Sequence, residues 1–385
     1  MLALRLARGS HPLVLLRRLL VAAASAGVGF LLLSALGYAS AHPEQSAGSV
    51  LRLLWCLVPL AATVQFAVAV ARADPSTRPR PGLSSVGLGP VRLSVLAAVS
   101  TAVSTTLGSL VALLLFLHLR GDLTGMPFDG RAAQLLGAGS PVPPAAALML
   151  LALVPVASAT AGALALRSRP DPARDAFGAE EPPASTPAGL PWGVALAATG
   201  LAVEAYASRG SAGHALPLPG RFDSAPVAVL GGWALTAIGL AAAGPGLTHL
   251  CGRALQAVRP GAVRLLAGRA LMDEARRIGR PLGALCAVFS AMVAASTLYG
   301  DGGRPFGPFT AFGAALVLCC TTATLLISAL EARHARARTA RALLGMGAPA
   351  AALRAASVLR VGALLALFAP LTWATAELAA LPLRG

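Results

Sequence analysis

The chain has 385 residues, of which 56% are hydrophobic and only 12% charged. Soluble domains carry about 25% charged residues, so a soluble enzyme or binding domain is excluded and a protein embedded in a bilayer is expected. The formal charge of +16 comes from 31 arginines and no lysine, and these fall between apolar runs rather than in one patch. That distribution excludes nucleic acid as a partner and points to orientation in a membrane.

In chain order, the first element is a basic amphipathic segment, Leu2 to Arg18, which ends in Arg17 and Arg18. Its pattern suits a helix lying on the membrane surface. Nine apolar runs follow, at roughly 15–38, 51–71, 93–118, 143–166, 190–207, 227–249, 282–299, 307–330 and 357–380. Each approaches the ~20 residues that a helix needs to cross the hydrocarbon core. With the N-terminus in the cytoplasm, 24 arginines lie on the inside and seven outside, a strong positive-inside bias. The C-terminus is then expected outside.

Between these runs, Pro75 to Pro90 is rich in proline and glycine, and Pro170 to Pro187 is a polar, acidic linker. A second basic segment, Gly261 to Pro281, carries Arg276-Arg277, which an offset of 259 maps onto Arg17-Arg18. Gly87-Leu88-Gly89-Pro90 and Gly345-Met346-Gly347 recur at an offset of 258. Two landmarks at nearly one offset indicate a duplicated unit. The expected organisation is a first unit of four spans over 1–169, a linker over 170–189, two connecting spans over 190–250, and a second unit of three spans over 251–385.

The elbow Leu2-Ala3-Leu4-Arg5-Leu6-Ala7-Arg8, its counterpart Leu265-Leu266-Ala267-Gly268-Arg269-Ala270-Leu271, and the segment from Arg341 to Pro349 together resemble the FtsX-like (MacB-type) permeases of ABC transporters. The resemblance implies an all-α polytopic membrane protein of about nine transmembrane helices, built from two FtsX-like helical units without a large extracellular domain. It also implies a permease in a bacterial cytoplasmic membrane, partnered by two copies of a separate cytoplasmic ABC ATPase that supplies the ATP and Mg chemistry. The ATPase-coupling segments would be roughly Pro81 to Val91, with Gly87 and Gly89, and Ala342 to Arg354, flanked by Arg341 and holding Leu344, Gly345 and Gly347. The cargo to be exported or extracted is expected to be amphipathic or lipid-like, because the spans offer little polar lining for ions or sugars; efflux and antibiotic resistance are the roles the resemblance implies.

The residues carry no P-loop, no H-E-x-x-H and no G-x-S-x-G, so neither a catalytic residue nor a metal ligand is assigned and no cofactor is expected on this chain. The five cysteines read as packing residues. Arg17, Arg18, Arg276 and Arg277 are expected at anionic lipid headgroups, with Asp273 and Glu274 pairing locally with Arg276 and Arg277. Glu204 and Glu377 are candidate cavity or coupling carboxylates, because an acid at membrane depth is costly. Their place near span ends favours a solvated reading. Ser25 with Gly29, and Gly307 with Ala311 and Ala315, read as small faces for close helix packing. Two other functions stay open on the sequence: a non-transporting membrane scaffold or signalling subunit, and a secondary transporter using Glu204 or Glu377.

Overall fold

The computed structural model describes residues 12–74, 90–122, 130, 132–167, 189–209, 215–218, 222–257, 261–299 and 307–381. The first elbow up to residue 11, the segment with Gly87 and Gly89, and most of the acidic linker lie outside the described residues.

Nine helices are present among them: α1 Pro12–Ala41, α2 Ser46–Ala73, α3 Pro90–Arg120, α4 Pro144–Arg167, α5 Gly189–Arg209, α6 Val227–Gln256, α7 Ala262–Tyr299, α8 Pro308–Gly345 and α9 Ala350–Ala380. Two short strands, β1 Ala215–Leu218 and β2 Phe222–Pro226, pair between α5 and α6. All helices but α5 are long and apolar enough to cross a membrane. The protein is a polytopic, all-helical membrane protein. Helices suit this solvent because each satisfies its backbone hydrogen bonds within itself.

Two helices run further than their apolar runs. The basic segment before residue 282 is not a separate surface helix: α7 continues unbroken from Ala262 through Pro281 to Tyr299. α8 likewise carries its basic stretch on to Gly345. At 38 residues each, both are about 57 Å long against a hydrocarbon core of about 30 Å. Their arginine-rich ends therefore extend past the apolar layer. Pro281 does not end α7, since neighbouring helices can support a helix at a proline within a bundle.

The helix limits repeat. α1 and α7 end at Ala41 and Tyr299, and α2 and α8 start at Ser46 and Pro308. α3 and α9 start at Pro90 and Ala350 and end at Arg120 and Ala380. These pairs are separated by 258 to 262 residues. The chain also divides into two compact units. The first comprises 1–171, 217–222 and 306–320, and the second 172–216, 223–305 and 321–385.

In the first unit α1 is central. Ser25 and Gly29 form the small face expected of it, and α3 and α4 dock there. The Ser25 hydroxyl donates to the Thr105 carbonyl at 2.7 Å, and a side chain at Gly29 would meet Ala112 and Leu151. Leu33, Ala112, Phe116, Leu136 and Leu151 fill the adjoining core. The small face expected on α8 is corrected. Ala311 and Ala315 are exposed, and the buried positions are Thr310, Gly313, Val317 and Cys320. The indole of Trp55 packs against Gly313, where no side chain stands in its way, and Leu316 packs over Gly27.

In the second unit α6 is central and glycine brings it close to both neighbours. Gly193 and Gly200 of α5 face Gly239, Ala243, Gly232 and Thr236 of α6. Gly244 and Gly252 meet Gly279, Gly283 and Gly268 of α7. Small residues let backbones approach, which is how helices associate where lipid removes most of the hydrophobic drive. Leu240, Cys286, Ala287 and Phe368 join α6, α7 and α9 in one apolar cluster.

Candidate functional site

Sequence and structure converge on the arginine-rich end of α7, α8 and α9. On α7, Ala267, Leu271, Ala275 and Ile278 are buried, a stripe at helical spacing. Arg276, Arg277 and Arg280 lie on the exposed side. Glu274 sits on the buried side instead, three residues after Leu271.

The local pairing expected for Glu274 is therefore corrected. Its carboxylate is held by Arg336 of α8, whose Nη1 lies 2.8 Å from Oε1 and 3.0 Å from Oε2. Arg360 of α9 brings its own Nη1 to 3.9 Å from the same Oε1. Side-chain exposure is 11% for Glu274 and 15% for Arg360, so the acid and the second cation are both largely withdrawn from solvent. Arg277, one turn on, is exposed and adds a weaker attraction, so the close contacts of the acid come from other helices. One signal was available in the sequence, an acid on the apolar stripe of an otherwise basic helix. Its partner, 62 residues away, had none.

Beyond this triad the α8–α9 connection forms an exposed tip. Arg341 is exposed and its Nε donates to the Ala337 carbonyl at 3.1 Å. Leu344 and Gly345 are exposed, and Met346 is 76% exposed. Gly347 adopts φ +91°. Its N–H donates to Leu344 O and that of Ala348 to Leu343 O, which closes the end of α8 in the glycine-dependent manner of helix C-termini. Pro349 then caps α9. The segment expected as a short coupling helix over 342–354 is thus the tip of a hairpin between two long helices. A side chain at Gly347 faces a left-handed cost of roughly 1–2 kcal/mol. Gly347→Ala should therefore speed amide exchange at Met346 to Ala352 by roughly tenfold, read by hydrogen–deuterium exchange, with the rest of α8 unchanged.

Arg17 and Arg18, the first-copy elbow residues, serve α2. Arg18 pairs with Asp74 at 2.9 Å, and Arg17 donates to the Ala73 carbonyl at 3.5 Å. Both cations thereby sit at the negative end of the α2 dipole.

Glu204 is not at a solvated helix end. It is fully buried on α5, because Gly232 of α6 lets the two backbones close over it. Thr236 Oγ1 donates to Oε1 at 3.3 Å, while Oε2 has no hydrogen-bond partner among the described residues. Glu377 is half-buried on α9, and its backbone carbonyl accepts the N–H of Leu381. Gln65 is exposed, whereas Thr321 and Thr324 are buried. Among the described residues, no three His, Cys, Asp or Glu side chains gather as a metal site.

Neither a protein-family model, nor a curated protein, nor a solved structure matches this chain.

Proposed function

We propose that this chain is the membrane-spanning permease subunit of an ABC transporter. A separate cytoplasmic ATPase, in two copies, engages the α8–α9 tip and moves it. The observation that carries this reading is the tip itself. Two helices longer than a bilayer requires end in an exposed turn bearing Leu344 and Met346, flanked by Arg341 and Arg354. Apolar side chains with a basic rim, held past the apolar layer, suit docking to a soluble protein and serve no purpose toward lipid. The recurrence of four helix limits at offsets of 258 to 262 supports a two-unit permease plan. Under this reading the arginine-rich ends face the cytoplasm of a bacterial cell and rest on anionic lipid. The cargo is amphipathic or lipid-like, because the buried faces offer hydroxyls and glycines and few charges to line a path for ions or sugars. Efflux is the corresponding physiological role.

The test is to purify the tagged full chain from its native host and measure Mg-ATP hydrolysis in the preparation. Wild type should bring down an ATPase. Leu344→Asp with Met346→Asp should lose it by at least tenfold while eluting as the same monodisperse species. A preparation with no ATPase would instead favour the scaffold or signalling role.

A proton-coupled carrier is the second reading, favoured by the unpartnered oxygen of Glu204. The close approach of Gly200 and Gly232 around that side chain leaves no room there for a cargo, so the first reading is preferred.

A further inference from the structure

We propose that Glu274 is a shared carboxylate, handed from Arg336 to Arg360 when the α8–α9 tip is displaced, so that the second three-helix set carries a two-position latch. The proposal deepens the coupling reading, since it says how movement of the tip is held and released.

The geometry is unequal. Arg336 takes both carboxylate oxygens at hydrogen-bond distance, while Arg360 waits at 3.9 Å. The Nε and Nη1 of Arg360 are shielded from solvent and have no hydrogen-bond acceptor among the described residues. Buried donors without acceptors are costly, and a carboxylate has lone pairs enough for two guanidiniums. A shift of about 1 Å at Glu274 would bring Oε1 within hydrogen-bond distance of Arg360. Two cations therefore stand within reach of one acid.

Packing decides which helix moves. α7 and α9 lie together along an extensive contact. Glu274 and Arg360 thus belong to one rigid pair, and Arg336 is the long arm by which α8 holds on. If α8 withdrew and no second cation stood by, the acid would be left bare in a shielded place, a strongly unfavourable state. Arg360 removes that obstacle.

The first copy supplies the contrast. Shifted by 259, Arg18 falls at Arg277, Asp74 at Arg333 and Thr101 at Arg360. An ion pair again joins the first helix to the end of the second, here with its polarity reversed. The third-helix position is Thr101, whose hydroxyl is turned to its own helix at Ala97 O. The third helix of that copy thus offers no cation at the position of Arg360.

The experiment is a thermal-unfolding cycle on the full chain in nanodiscs of phosphatidylethanolamine and phosphatidylglycerol, with no ATPase present. Arg336→Met and Arg360→Met should each lower the midpoint by about 2 °C, because the remaining arginine keeps the acid. The double variant should fall by more than about 6 °C, beyond the sum of the two. Additive losses would overturn the proposal. Should the double variant fail to fold, Glu274→Gln is introduced into Arg336→Met. A further drop in midpoint shows that Arg360 had taken the carboxylate, and no drop overturns the hand-over. These readings do not involve the ATPase. Failure here leaves the coupling function standing, and failure of co-purification leaves the latch standing.

Discussion

Gly239→Leu should abolish recovery of a monodisperse protein in detergent. A Cβ at Gly239 would lie 2.7 Å from Gly193 O and 2.8 Å from Ala197 Cα, and closer still to Ala197 N. Every one of these is backbone, so no rotamer change on α5 can relieve the overlap. The helices must separate along their length, and the contact that small residues provide between α5 and α6 is lost. Overpacking a core costs 1–3 kcal/mol where side chains can yield; with backbone on both sides we expect about 3 kcal/mol or more. Gly231→Ala is the control. It lies on the same helix, nothing stands within 4 Å of its added Cβ, and alanine is the better helix former. Its thermal midpoint by size-exclusion chromatography should equal or exceed wild type, while Gly239→Leu elutes as aggregate. A normal profile for Gly239→Leu would refute the close packing of α5 on α6.

Arg120→Met should lower the unfolding free energy by about 2 kcal/mol, through the loss of a charge-assisted bond and the desolvated carbonyl left behind. Arg120 ends α3 with only 6% exposure. Its Nη2 donates to Ser140 O, its Nε approaches Asp122 at 3.4 Å, and its guanidinium lies 5.9 Å from the Phe116 ring. It thereby ties Ser140 to the core that holds Phe116 and Leu136. Methionine keeps the stem and removes every donor. Asp122 is the weaker partner because it is exposed, and exposed ion pairs contribute little. Asp122→Asn should leave the midpoint within about 1 °C. Equal effects of the two substitutions would show that the ion pair, not the carbonyl contact, carries the stabilisation.

Legibility differed sharply between elements. The apolar runs announced their helices because hydrocarbon leaves a chain few ways to satisfy its backbone. The Gly-x-Gly-x-Pro pattern at 345–349 announced the end of α8, since Gly347 needs a positive φ. That α7 and α8 each run unbroken from an apolar to a basic stretch was not legible. Their apolar runs give way to arginine, yet arginine and alanine favour helix as well as leucine does. Polarity marks where lipid ends and leaves the helix free to continue.

Faces were legible only in part. Ser25 and Gly29 on α1 did receive another helix. On α8, however, two stripes of small residues compete, and the indole of Trp55 at Gly313 selects the one that is buried. Glu204 shows the same limit from the other side: its position near a helix end suggested water, and Gly232 on another helix excludes it.

Left to itself, then, the sequence determined that this chain lives in a bilayer as a set of long helices, because composition alone fixes which solvent each segment can tolerate. The tertiary structure alone decided that Glu274 answers to Arg336 and Arg360. Helix periodicity places an acid on a face, but which cation occupies the facing position depends on how distant helices cross, and no local pattern encodes that.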